Sequence, residues 1–353
     1  MTISVDRPVG AEQAGSRAPA ARGANTARAR RLVAAGVVVA LLVVEVAVIR
    51  PEVGGALRSL WTVNYGWLAV AVLAAAAAMG VFALTRRTLL RAAGFRVPVR
   101  ATVAAVLVAN SLHATLPGGV AFSTGYTYRW MRGRGVSGPA ATWCLAAGGL
   151  VSTAALLSFG VAGSLLAGGQ AGWLELALAV TGIVLCTAAV RRLARSPRTA
   201  IAVGRGVLRL VNAVRRRPPT TGVDALNGLL AELRFVRPRG RDWVAATGYA
   251  LLNWTFDAAC LAACAAALDL HGLTLPLLLV AYTAGMATSG LSPLPGGLGV
   301  VDAALVLTLV AGGIPAAAAL PAVVLYRLVS LVGVVAVGWL VCAVQQLRVP
   351  LAG

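Results

Sequence analysis

Apolar residues fall along this chain in ten runs, at 32–49, 66–84, 101–116, 120–128, 140–167, 174–190, 243–268, 275–291, 298–310 and 318–345, with polar punctuation between them. A helix that crosses a bilayer needs about 20 apolar residues, and about 17 serve where the flanking side chains snorkel. Six runs approach that length. The four that flank two Pro-Gly-Gly sequences are mostly shorter, and they set the architecture.

If 101–128 were one ordinary span, Arg129, Arg132 and Arg134 would lie on the outer side, and so would the arginine-rich stretch 191–241. The positive-inside rule forbids that placement. If 101–128 is instead a helical hairpin that enters and leaves on the cytoplasmic side, the clusters at 1–31, 86–100, 129–134, 191–241 and Arg348 all fall inside. The outer loops 168–173 and 269–274 then hold no arginine, and only Arg50 and Arg58 are discordant. Both termini are expected in the cytoplasm.

The same punctuation occurs twice. Residues 94–152 align without a gap on 272–330, at a constant offset of 178. Gly94 meets Gly272, Pro98 meets Pro276, Leu116–Gly119 meets Leu294–Gly297, Gly135 meets Gly313, and Leu150–Ser152 meets Leu328–Ser330. Shared Ala-rich composition accounts for matched alanines but not for matched Pro and Gly. The first copy enters its hairpin from an arginine-rich side and the second from an arginine-free side, so the copies are expected to be inverted. The predicted fold is therefore an all-α polytopic membrane protein of two inverted repeats, each with three spans and one re-entrant hairpin broken at PGG. Residues 1–31 form a disordered basic cytoplasmic tail without a signal-peptide cleavage pattern. Repeat one covers 32–167 with hairpin 101–128. Repeat two covers 174–345 with hairpin 275–312, and 191–242 is a cytoplasmic insertion of amphipathic helices.

Composition agrees with this reading. Of 353 residues 59% are hydrophobic and 12% charged, about half the charge a soluble protein carries, and mean hydropathy is +0.83. The net charge of +20 comes from arginine alone, gathered between apolar runs, so it reads as loop placement and not as a nucleic-acid surface. Cys144, Cys186, Cys260, Cys264 and Cys342 lie inside apolar runs with no ligand at zinc spacing. No metal or cofactor is expected.

Chemistry is expected at the breaks. Proline removes a backbone donor and glycine frees the backbone, so a helix ends at Pro117-Gly118-Gly119 and again at Pro295-Gly296-Gly297. Unpaired backbone groups in hydrocarbon persist only where protein covers them or where they line a polar cavity. A new half-helix beginning at the glycines aims its N–H groups at that cavity, a disposition suited to phosphate. The alternative is a pair of kinks that only let helices pack. Ionisable residues inside the runs add to this: Asp302 after the second break, Asp257 one turn beyond Asn253, and Arg327 after Tyr326. They read either as an Asp–Arg pair that ties helices together, or as Arg327 with Arg129 meeting a lipid phosphate while Asp302 or Asp257 serves as counter-ion or proton site. Glu45 is expected to snorkel and His113 to be packed.

The stretch from Pro293 to Leu328 resembles the signature of the lysylphosphatidylglycerol synthase transmembrane-region family, also called flippase-like and including YbhN-type proteins. The pattern is carried by Pro293, Pro295, Gly296, Gly297, Gly299, Asp302, Tyr326 and Arg327, and in the first half by Asn110, Pro117, Gly118, Gly119 and Arg129. Asp302 stands where the family usually has Glu, and Leu294 where Thr is common. The resemblance covers 32–345 and implies a translocator of lipids such as aminoacylated phosphatidylglycerol, with membrane lipids as partners. Eight residues follow the last run, so the catalytic activity of the bifunctional synthases is not expected, and the sequence has no phosphate-binding loop of the ATPase type. The expectation is a non-enzymatic lipid flippase in the cytoplasmic membrane. A scaffold acting through the basic insertion is the alternative, and a membrane transferase a weaker one, for no nucleophile or convergent acids are evident.

Overall fold

The long apolar runs fold as single helices because a helix satisfies every backbone group within its own segment, as a bilayer requires. In the computed structural model the described residues are 63–116, 118–168, 238–289 and 295–348, with isolated positions 181, 182, 188 and 218. All lie in one compact unit, Val53–Gly353. The expected tail, the run at 32–49, and nearly all of the run at 174–190 and of the insertion fall outside them.

Every regular element among the described residues is helical. α1 is Tyr65–Ala92, α2 Val99–Thr115, α3 Gly119–Arg132 and α4 Gly138–Leu166. α5 is Gly240–Ala267, α6 Leu275–Ser289, α7 Val300–Ala311, α8 Ala316–Arg327 and α9 Val334–Arg348. A short 3-10 turn, Pro295–Gly297, precedes α7, and a π-helical segment, Leu328–Gly333, joins α8 to α9. α1, α4, α5 and the joined α8–α9 are long and apolar enough to cross a membrane.

Local chemistry sets the ends. Asn64 caps α1 by accepting from the N–H groups of Gly66 and Trp67, and Ser137 caps α4 by accepting from Ala140. Gly94, Gly118 and Gly135 adopt positive φ between helices, and so do Gly272, Gly296 and Gly313, each 178 residues further on. Packing partners recur in the same way. α1 lies against α5, α2 against α9 as α6 against α4, and α1 against α4 as α5 against α8. Asn64 N–H donates to the Ala267 carbonyl at 3.0 Å, so α1 begins where α5 ends and the two run antiparallel.

Two apolar clusters mark the ends of the bundle. One joins Leu89, Leu90 and Val97 to Trp130, Met131, Val136, Trp143 and Ala246. The start of α2 and the end of α3 therefore meet at one end, with Arg96, Arg132, Arg134 and Arg241 around them. Aromatic rings gather there, Trp143 edge-on to Trp243 at 5.9 Å and Arg134 stacked 4.1 Å over Trp130, as at a membrane–water interface. The other cluster joins Val63, Ala71, Leu261, Ala267, Leu278, Leu309 and Ile314. At 17 residues α2 is about 25 Å long, so its far end reaches deep into the bundle before the chain turns back.

Candidate functional site

The second break is built from glycine. Pro295, Gly296 and Gly297 are buried, and Gly296, Gly297 and Gly299 have φ of 62°, 70° and 74°, a region that side chains disfavour. Gly299 then starts α7, and Asp302 in its first turn accepts the Gly299 N–H at 2.9 Å. The opposite break comes close, since a Cβ on Gly296 would lie 3.4 Å from the carbonyl oxygen of Ala114 near the end of α2. The two hairpin tips therefore touch.

Arg327, the last residue of α8, reaches this turn. Its Nε donates to Asp302 Oδ1 at 2.6 Å, and an Nη donates to the Gly296 carbonyl at 3.0 Å. The guanidinium thus fills the acceptor that the broken helix leaves open, and the carboxylate balances its charge. The side chains of Arg327 and Asp302 remain 14% and 26% exposed, so the pair is accessible from outside the protein. A π-helical segment begins directly after Arg327; such segments displace the following turn and recur at functional sites.

The neighbouring residue, Tyr326, faces another acid. Asp257 Oδ2 accepts from the Tyr326 hydroxyl at 3.1 Å and from the Tyr282 hydroxyl at 2.6 Å. Both tyrosines are fully buried, and Trp254 packs edge-on to Tyr282 at 6.0 Å. Two donors on one oxygen supply the partners that an acid in an apolar span requires. Asn253 is buried one turn earlier on α5. Asp257, Tyr282, Tyr326, Arg327 and Asp302 so form one connected set that ties α5, α6, α7 and α8 together.

Other expected residues lie elsewhere. Arg129 is exposed in the last turn of α3, at the arginine-bearing end, and does not join Arg327. Asn110 donates to the Val106 carbonyl of its own helix and lines a separate cavity in the first half. Gly118 takes the left-handed turn of the first break, and Gly119 packs against the His113 backbone so closely that a Cβ has no room. Pro117 and Pro293 lie outside the described residues. No group of three His, Cys, Asp or Glu side chains among the described residues is placed to hold a metal ion.

Sequence reasoning passed over Tyr282 and Arg86. Tyr282 was the one hydroxyl-bearing aromatic in the run 275–291, a usable signal. Arg86 was hidden in a loop cluster because the apolar run ends at residue 84, while α1 continues for two more turns.

Among the described residues, four helices long and apolar enough to cross a membrane, broken hairpins touching at their tips and acid–base partners inside apolar helices define a polytopic α-helical membrane protein. The model of the lysylphosphatidylglycerol synthase TM region matches residues 33–338, and the chain belongs to that family. Membership places it among membrane proteins that handle lipids. No curated protein matches the chain.

Proposed function

We propose that the protein is a flippase or transporter that moves an anionic or modified phospholipid, or a polyprenyl-linked lipid, across the cytoplasmic membrane without ATP hydrolysis and without enzymatic activity. The observation that carries this reading is the Asp302–Arg327 pair at the meeting point of the two breaks. A guanidinium has five N–H donors, and two are engaged by Asp302 and Gly296. A lipid phosphate approaching the accessible pair competes with Asp302 for Arg327, since a phosphate can take two guanidinium donors where Asp302 takes one. Asp302 is then a counter-ion, released when the phosphate binds and re-engaged when it leaves.

The two halves are, on this reading, inverted repeats with re-entrant hairpins. Recurrence of the helix layout, the matching neighbours and the antiparallel pair α1–α5 support it. The common location of Arg96, Arg132 and Arg241 supports a cytoplasmic assignment for that end. α9 runs back along α2, with Ser111 hydroxyl donating to the Val335 carbonyl, which supports a cytoplasmic C-terminus.

The test is lipid scrambling in proteoliposomes, with fluorescent phospholipids and a polyprenyl-phosphate analogue. Wild type should move at least one of these lipids, and Arg327→Ala and Asp302→Asn should abolish the movement at matched reconstitution. Folded wild type that moves none of them would reject the reading and leave the scaffold alternative.

A further inference from the structure

A second polar site lies in the first half, away from the Asp302–Arg327 pair. Between α1, α2, α3 and α4 there is a cavity of about 120 Å³, several times what a single water requires. Arg86, Asn110, His113, Ser123, Thr124 and Thr127 supply its polar lining. Arg86 is six residues before the end of α1, about 9 Å from it along the axis. Its side chain does not turn to that end, unlike Arg87, which donates to the Val97 carbonyl at 3.1 Å. It points across to α3, donates from one Nη to the Thr127 hydroxyl at 3.3 Å and lies 5.3 Å over the Phe82 ring.

Among the described residues no carboxylate pairs with Arg86, for the ion pair they contain is Asp302–Arg327. A guanidinium in an apolar span with a hydroxyl and a ring as its partners has strong donors to spare. The cavity opens past Ser123 and the exposed Thr124.

The matching place in the other half is apolar. Counted back from the end of its helix, Arg86 of α1 corresponds to Leu261 of α5, and at the offset of 178 Thr127 corresponds to Leu305; both counterparts are fully buried in the apolar cluster. The architecture therefore packs well there without a cation. We propose that the Arg86 cavity is a binding site for a phosphate group, held by the guanidinium with the Thr127 and Ser123 hydroxyls, and entered from beside α3 at headgroup depth near the arginine-bearing end. It deepens the transport reading by placing a headgroup site before the hairpin tips, yet binding there does not require that transport occur.

The test uses the full-length protein purified in detergent. Isothermal titration would be run with dihexanoyl phosphatidic acid, with dihexanoylglycerol, which has the same chains and no phosphate, and with inorganic phosphate. Binding of the phosphatidic acid but not of dihexanoylglycerol is expected. Arg86→Gln should weaken it roughly tenfold or more, the effect of losing one charge-assisted contact. Thr127→Val, which keeps the volume, should weaken it less, and Arg91→Gln, an exposed arginine in the last turn of α1 outside the cavity lining, should leave it unchanged. Weak or absent binding of inorganic phosphate assigns the site to lipid headgroups; equal binding, equally lost in Arg86→Gln, assigns it to free phosphate. Wild-type binding retained in both Arg86→Gln and Thr127→Val, or no phosphate-dependent binding by folded wild type, overturns the inference. Scrambling measured on the same preparations separates the two claims. Transport without Arg86-dependent binding removes this site alone, and binding without transport removes the flippase reading alone.

Discussion

Arg327 Nε lies 2.6 Å from Asp302 Oδ1 and binds the α8 end to the first turn of α7, while the same guanidinium holds the Gly296 carbonyl at the break. The pair therefore has a structural duty in addition to any duty toward a ligand.

That duty sets the first prediction. Arg327→Ala removes the charged partner of Asp302 and the donor to the Gly296 carbonyl, and should lower stability by about 1.5–3 kcal/mol. Removing Asp302 as well relieves the stranded charge, so Asp302→Ala with Arg327→Ala should cost less than the sum of the single changes, by at least about 1 kcal/mol. Unfolding in detergent, followed by tryptophan fluorescence, measures the cycle. Additive single costs would mean the two side chains act independently.

The two tyrosines on Asp257 should not be equal. Tyr282 donates at 2.6 Å and Tyr326 at 3.1 Å, so Tyr282→Phe should be the more destabilising. A hydrogen bond to a charged group is worth about 1.5–3 kcal/mol. Asp257→Leu combined with both Phe changes should recover part of the loss, because no charge is then left unpartnered. Midpoints of thermal unfolding for the four proteins decide the order.

Glycine substitutions should divide by what surrounds the missing Cβ. At Gly119 it would overlap the His113 carbonyl, and at Gly338 the Leu107 carbonyl and Ser111 hydroxyl, across the α9–α2 contact. Gly119→Ala and Gly338→Ala should each reduce the folded fraction sharply. Gly125, inside α3, has nothing within 4 Å, and Gly125→Ala should be neutral or stabilising by up to about 1 kcal/mol. Size-exclusion profiles and unfolding midpoints of the three variants are the check.

The hairpin reading makes a topological prediction. In a background with all cysteines replaced, Arg96→Cys, Arg132→Cys and Arg241→Cys should react with a membrane-impermeant maleimide from the cytoplasmic side. His271→Cys and Ala317→Cys should react from the other. Labelling of Arg132→Cys and Arg96→Cys from opposite sides would mean that α2 and α3 together cross the membrane once.

By itself the chain determined that its described elements are apolar helices and where they break, though not every helix end, for α1 runs two turns past its apolar run. Those are local matters: hydrocarbon demands internally satisfied backbone, and Pro and Gly interrupt it at fixed positions. The 178-residue recurrence was legible for the same reason, since Gly94, Gly118 and Gly135 serve turns that recur at Gly272, Gly296 and Gly313. Asp257, Asp302, Tyr326 and Arg327 were visible because charge is conspicuous in an apolar run. Which acid meets which base was not, for Tyr326 and Arg327 are adjacent in sequence yet turn to acids on different helices. Only helix packing chose those partners, as it placed Tyr282 beside Asp257 and left Arg129 exposed. It also turned Arg86 inward: a long side chain near a helix end has several directions open to it, and its choice depends on the neighbours that pack against that face.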